Sequence, residues 1–407
     1  MSRSATNPSL NRFAVLTALA TLALIGLGGL VTSHGVGMAV PDWPTTYGYN
    51  MFAFPISRWV GGIFYEHTHR LWASGVGLLT TVLALWLFGR TARPFLRWTG
   101  SIFFVCGVLG VIFLHDKHYT GLTLLIVGAA ALAASFFWPG CEPAEKWLHK
   151  LGVLAFVAVS LQGLLGGLRV TLIKDELGIF HAALAQAFLV LVCAIALFTS
   201  KWWNSLTEKF APTLDSAGLR RCFVAGTVLI FAQLVVGATM RHQHAGLAIP
   251  DFPLAYHKLW PAMDPESIKV YNQNRVEVDA TNAITAFQIG LQMVHRLMAL
   301  LIFVVVSFSA WTTRRKLGPQ NPLSKSALIW FGLIVLQILL GAYTIWSNKA
   351  ADVATAHVMI GGMSLVTATL LTIVSFRLLI PARATNRAAE SADSGFIPGK
   401  RAASNVE

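Results

Sequence analysis

Along the chain, apolar runs of about 17 to 25 residues alternate with short polar or basic segments, and that is the length a helix needs to cross a bilayer. The runs fall at roughly 13–33, 66–88, 98–115, 119–138, 148–170, 178–200, 219–240, 288–311, 326–346 and 355–380. The pattern predicts an all-α polytopic membrane protein with ten transmembrane helices.

The polar punctuation repeats. Pro41-Asp42-Trp43-Pro44 returns as Pro250-Asp251-Phe252-Pro253, and His69-Arg70-Leu71 as His295-Arg296-Leu297. Gln162-Gly163-Leu164-Leu165-Gly166 returns as Gln337-Ile338-Leu339-Leu340-Gly341, and His181 as His357. Four landmarks in one order predict a duplicated four-helix unit. Four is even, so the copies share one orientation and are related by an axis along the membrane normal. The offset between copies is 209 residues from Pro41 to Pro250, 226 from His69 to His295 and 175 from Gln162 to Gln337. The second copy therefore has a first outer loop 17 residues longer (226 minus 209), around Trp260 to Asn282. The first copy holds 51 extra residues (226 minus 175), the length of a helical hairpin with its loops. The division is an N-terminal repeat (1–97 and 139–210), an inserted transmembrane hairpin (98–138), a C-terminal repeat (211–382) and a disordered cytoplasmic tail (383–407). Two parallel-repeat four-helix bundles thus make eight core helices.

Composition agrees with a membrane chain: 55% of residues are hydrophobic and only 12% charged. The net charge of +13 would suggest nucleic acid in a soluble protein. Here Lys and Arg cluster in alternate loops, as the positive-inside rule requires, so lipid is the expected environment and no nucleic-acid partner is needed. That bias places both termini in the cytoplasm. Cys106 and Cys193 fall in apolar helices and Cys141 and Cys222 beside cytoplasmic loops, leaving no outer-loop disulfide. The short polar start, 1–12, precedes a run long enough to be a retained helix rather than a signal peptide. It favours a bacterial plasma membrane.

The chemistry-bearing residues gather at the outer rim. His69, His181, His295 and His357 each lie near the outer start of a helix running inward, two per repeat on alternate helices. Two imidazoles in a four-helix bundle with apolar walls predict one bis-histidine haem site per half. Each histidine taken singly also suits a simpler role, hydrogen-bonded between helices, and a zinc or copper site would use the same donors. Arg70 and Arg296 follow His69 and His295 and call for an anion at that depth, either haem propionates or loop carboxylates reached by snorkelling. Glu66, three before His69, is replaced by Gln292, three before His295, so an ionisable group stands in one half alone. Moving protons during oxidation needs such a group, whereas holding an electron-carrying haem does not. Chemistry is therefore expected in the first half and electron relay in the second. A structural pairing of Glu66 with Arg70 or His67 is the alternative. His67 has no histidine counterpart. The Pro-Asp-aromatic-Pro segments predict outer turns, with Asp42 and Asp251 as further proton-carrying candidates. His115-Asp116-Lys117-His118, at the hairpin tip, reads as a solvated turn. Gln162 and Gln337 predict interhelical hydrogen bonds, and Gly163, Gly166 and Gly167 close helix packing.

With Glu66-x-x-His69-Arg70, the Pro-Asp-Trp-Pro loop, Gln162-x-Leu-Leu-Gly-Gly-Leu-Arg169-Val and the second-half histidines in order, the chain resembles the haem A synthase family from about Gly28 to Thr372. The resemblance implies an enzyme, a membrane oxidoreductase that oxidises the C8 methyl of haem O to a formyl, making haem A for cytochrome c oxidase. It implies that His69 and His181 bracket the substrate haem O, with Glu66 in catalysis. His295 and His357 would hold a haem b cofactor. Haem O synthase is the implied supplier, and an electron acceptor or donor the implied partner. The chain departs from the family in lacking an outer-loop cysteine pair and in carrying the inserted hairpin. Two other classes fit part of the pattern. A diheme electron-transfer subunit of the cytochrome b kind leaves the single Glu66 unexplained. A repeat-built transporter leaves the rim position of the polar cluster unexplained.

Overall fold

The computed structural model describes residues 7–113, 118–215, 218–274 and 283–381. Among them are ten helices long and apolar enough to cross a membrane, and the chain is a multi-pass membrane protein. They are α1 (Pro8–Ser33), α2 (Gly61–Leu87), α3 (Ala92–Phe113), α4 (His118–Phe137), α5 (Lys146–Leu172), α6 (Asp175–Phe198), α7 (Leu219–His242), α8 (Ala286–Leu317), α9 (Pro322–Trp346) and α10 (Ala351–Leu378). Their starts are written in local chemistry. The side chains of Asn7 and Asn321 cap α1 and α9, each followed by a proline at the first helical position. Thr285 and Gln288 form a reciprocal capping box on α8. Asp175 and Glu176 sit in the first turn of α6, and Arg314, Arg315 and Lys316 in the last turn of α8, each complementing the helix dipole.

Helices α1, α2, α5 and α6 pack in a ring, and α7, α8, α9 and α10 in a second. The rings meet where α1 lies on α10 and α6 on both α7 and α10. Small residues allow that approach: a methyl group added at Gly26 would meet the Met359 sulfur at 2.9 Å, and one at Gly29 the Thr355 side chain at 2.9 Å. Each ring fills one end with apolar side chains. In the first these are Leu10 and Ala14 of α1, Leu83 and Leu87 of α2, Leu148 of α5 and Val192 and Ile195 of α6. In the second, Phe223, Val306, Trp330 and Leu371 play this part, with Trp330 fully buried over Gly226. These belong to the helix ends remote from the four histidines. The polar residues are thereby left to the other end.

Helices α3 and α4 pack chiefly on each other. Gly100, Gly107 and Gly110 of α3 face Gly121 and Gly128 of α4 so closely that a β-carbon at Gly107 or Gly128 would stand 2.3 Å from the opposing backbone. At the base, Arg90 N–H donates to the Cys141 carbonyl and Ala144 N–H to the Leu87 carbonyl, both at 2.9 Å. Of the expected tip, His115, Asp116 and Lys117 lie outside the described residues, as does the tail. The all-α expectation has one small addition: Thr213–Asp215 pairs in parallel with Leu379–Pro381, joining the segment between the rings to the chain after α10. The long second outer loop contains a helix, Pro265–Gln273, capped by Asp264. It is seated by Tyr271 stacked on Tyr256 at 3.5 Å between ring centres.

The closed base makes α3 and α4 excisable. Replacing residues 91–140 by an Asn-Gly turn between Arg90 and Cys141 should leave a monodisperse helical protein. Its cooperative melting midpoint should lie within about 5 °C of the parent by circular dichroism. Aggregation or loss of cooperativity would make the hairpin integral to the rings.

Candidate functional site

Both Pro-Asp-aromatic-Pro segments fold into the same turn. Asp42 accepts hydrogen bonds from Tyr47 N–H at 2.7 Å and Gly48 N–H at 2.9 Å. Asp251 accepts from Tyr256 N–H at 2.7 Å and His257 N–H at 2.8 Å. Tyr47 and Tyr256, at φ of +50° and +52°, each donate their hydroxyl to a carbonyl eight residues back, that of Ala39 and Ala248. Burial pushes the Asp42 carboxyl up, but the hydrogen bonds from Gly48, Thr45 and Tyr47 outweigh it and hold the group below its ordinary value. Both aspartates are thus acceptors organising a turn.

Each turn is fastened to a helix. Glu66, 4% exposed, accepts Val40 N–H on Oε2 at 2.8 Å and pairs through Oε1 with Arg70 at 2.6 Å. At the equivalent place Gln292 accepts Ile249 N–H on Oε1 at 2.7 Å. Arg70 donates all four terminal N–H groups: to the carbonyls of Asp42 (2.6 Å), Thr45 (3.1 Å) and Val40 (2.7 Å) and to Glu66. Arg296 donates to the carbonyls of Leu254 (2.8 Å) and Asp251 (2.7 Å) and lies over the Phe252 ring. The charge of Arg70 is met by Glu66 of its own helix and by three turn carbonyls, while Arg296 meets turn carbonyls alone among the described residues. His67 is fully buried, its Nδ1 3.2 Å from the Thr46 hydroxyl and its ring against Phe54 and Trp59.

Beneath the turns stand the four histidines. His295 and His357 face each other with ring centres 6.5 Å apart, and His69 lies within electrostatic reach of His181. Each ring edge rests on a glycine of the neighbouring helix. A β-carbon at Gly28 would lie 3.0 Å from His69 Cε1, at Gly166 3.1 Å from His181, at Gly237 3.4 Å from His295 and at Gly341 3.2 Å from His357. Glutamines pin the adjoining backbone: Gln162, Gln233 and Gln337 donate to the carbonyls of His181 (2.8 Å), His295 (2.8 Å) and His357 (3.0 Å). In all four histidines Nδ1 is buried without a hydrogen-bond partner among the described residues. Buried polar nitrogens left unpaired in a native fold call for an explanation.

These donors fit a haem iron. Two imidazoles bonded to opposite faces of one iron at about 2 Å hold their ring centres roughly 6 Å apart, close to the separation of His295 and His357. Among the described residues no group of three or more His, Cys, Asp or Glu converges as a metal cage. Paired histidines suit an iron that brings its other four ligands in a macrocycle.

Two residues at the site had no role in the sequence reading. Arg169, late in α5, rests its guanidinium 3.2 Å from where a β-carbon of Gly37 would be, within electrostatic reach of Glu66 and Asp175. Arg241, late in α7, reaches across to the first ring and donates to the Gly29 carbonyl at 2.6 Å and to the Ser33 hydroxyl. Their signal was a charge within an apolar run. Of the four glycines at the histidines, the sequence pattern marks only Gly166 as a helix-packing residue.

Residues 118–370, more than half of the chain, match the family of cytochrome oxidase assembly proteins. A protein of Bacillus cereus named heme A synthase is 25% identical over 387 residues, 94% of this chain and 96% of its own. A Bacillus anthracis protein of the same name gives the same figures, and one of Bacillus mycoides is 24% identical over 384 residues, 93% of this chain and 95% of its own. With its two histidine pairs, its outer turns and its matched helices, the chain belongs to the cytochrome oxidase assembly protein family, among relatives named heme A synthase.

Proposed function

We propose that this chain is a haem A synthase, a membrane oxidoreductase that converts the C8 methyl of haem O into a formyl. The observation that carries the reading is the asymmetry of two otherwise matching sites. Each has a histidine pair backed by glycines, yet the first offers the carboxylate of Glu66 where the second offers the amide of Gln292. In this reading His69 and His181 hold substrate haem O, and His295 and His357 hold haem b. Bound haem b supplies one-electron transfer.

The protein's own part is to orient and to move protons. Taking a methyl to a formyl takes up one oxygen atom, here from water, and releases protons and electrons in equal number, and Glu66 is the carboxylate placed to accept a proton. The Val40 N–H on Oε2 and the Arg70 guanidinium on Oε1 hold it aimed. The fastened turn closes over the histidine pair. The second site would pass electrons on to a partner acceptor, and haem O synthase is the expected supplier of substrate. A bacterial plasma membrane with both termini in the cytoplasm places the turns outside.

A diheme electron-transfer subunit is the second reading. It is favoured by one fact: Glu66 and Gln292 receive the same loop N–H, so Glu66 has a structural duty independent of chemistry.

Glu66→Gln separates the readings, because it keeps the acceptor for Val40 N–H and removes only the charge. Purified from a host that makes haem O, the wild type should yield haem A or a hydroxylated precursor on extraction and mass analysis. Glu66→Gln should yield haem O, with turnover down about 10²- to 10⁴-fold. Haem b alone in both proteins would leave the electron-transfer reading.

The glycine backing gives a second expectation. Gly341→Val should push the His357 ring and lower haem per chain together with the low-spin absorbance of a bis-imidazole iron. Gly290→Val, where added atoms would meet nothing within 4 Å, should leave both unchanged. Equal spectra would show that the glycines do not set the ring positions.

A further inference from the structure

The guanidiniums of the site divide into those already engaged and those left over. Arg70 has given every terminal N–H to loop oxygens and Glu66. Arg169 makes no hydrogen bond or close ion pair among the described residues, although it is only partly exposed and lies in the rim of the first ring. It stands within electrostatic reach of His69 and His181 on one side and of Arg241 and His242 on the other. Arg241 is within reach of His357, and one of its terminal nitrogens is without a partner among the described residues.

Both guanidiniums lie about the end of α1, Arg241 on the Ser33 hydroxyl and Arg169 beside Gly37, where the two rings meet. The nearby carboxylates are engaged elsewhere: among the described residues Glu66 pairs with Arg70 at 2.6 Å, Asp175 lies 3.9 Å from His242, and neither bonds to Arg169 or Arg241. Like charges in a poorly hydrated seam demand an anion, and planar guanidinium forks are matched to carboxylates.

The two arginines are not repeat equivalents. By the landmark offsets, Arg169 corresponds to Thr344 and Arg241 to Thr32. Each threonine turns its hydroxyl back onto its own helix, Thr344 to the Leu340 carbonyl at 2.8 Å and Thr32 to that of Gly28 at 2.6 Å. Each ring therefore owns one seam arginine, on non-corresponding helices that bring the pair together.

We propose that Arg169 and Arg241 bind the carboxylate edges of the two macrocycles, Arg169 that of the substrate in the first ring and Arg241 that of the cofactor in the second. This rests on the haem reading above. It transfers to Arg169 the anion-binding part that the sequence pattern suggested for Arg70, and adds Arg241 to the second site.

The test uses the full-length detergent-purified chain, titrated with ferric protoporphyrin IX and with its dimethyl ester, which lacks the charged edge, and read by Soret absorbance. The wild type should bind the free acid roughly tenfold or more tighter than the ester. Arg169→Met should abolish that preference, Arg169→Lys should keep part of it, and Arg70→Met should weaken both ligands alike. Arg241→Met should lower the haem that copurifies per chain while leaving the preference for added haem intact. A wild-type preference retained in Arg169→Met overturns the assignment of Arg169, and an undiminished haem content in Arg241→Met overturns that of Arg241. If His69→Ala and His181→Ala bind added haem as the wild type does, the first-ring haem site itself fails, and the arginine assignment with it.

Discussion

The organising interaction is a single hydrogen bond made twice: a side-chain oxygen three residues before the outer histidine accepts a backbone N–H from the preceding loop. An amide facing an apolar interior costs several kcal/mol unless it is paired. The loop after α1 must therefore bring Val40 to Glu66, and the loop after α7 must bring Ile249 to Gln292. Once these are in place, the turn carbonyls fall within reach of Arg70 and Arg296, and the arginines close the turns over the histidines. The acceptor is common to both halves and the negative charge is not. Loop closure thus explains an oxygen at these positions, and leaves the choice of a carboxylate at Glu66 to be explained by what happens beneath it.

The apolar ends of the rings complement this closure. Leu83, Leu87, Val192 and Ile195 in one ring, and Val306, Trp330 and Leu371 in the other, are buried at the helix ends remote from the histidines. Side-chain packing there and polar closure at the rim leave the space between as the part of each ring where the Nδ1 atoms of two imidazoles meet no protein partner among the described residues. The glycines extend the same economy. With only hydrogen at Gly28, Gly166, Gly237 and Gly341, the helix behind each ring comes close enough to set its plane without occupying the space in front of it.

The spans, the histidine pairs and the turns were legible in the sequence because each has a local signature: length of apolar run, spacing from a landmark, or prolines bracketing an aspartate. Helix ends were less legible. Helix α2 begins at Gly61, ahead of the apolar run, because Tyr65 to Arg70 are helical though polar. Helix α8 continues through Arg314 to Lys316, whose charges favour its C-terminus. The partners of Arg70 were illegible for a different reason. A sequence shows that a buried guanidinium needs oxygen, and backbone carbonyls, which every residue has, leave no mark of where the chain will supply it.

That same blindness hid Arg169 and Arg241. Reading a duplicated chain for matched positions selects residues present in both copies, and these two are each present in one. Their significance arises only after folding, when α5 and α7 bring unmatched arginines to a common seam while Thr344 and Thr32 are absorbed into their own helices. Gene duplication gives each ring a complete histidine pair, so matching contacts describe what the rings share. The features that make them cooperate are the unmatched ones. Under the proposed function, a carboxylate in one ring and an amide in the other would separate their chemistry, and the arginines of α5 and α7 would hold the charged edges of their ligands.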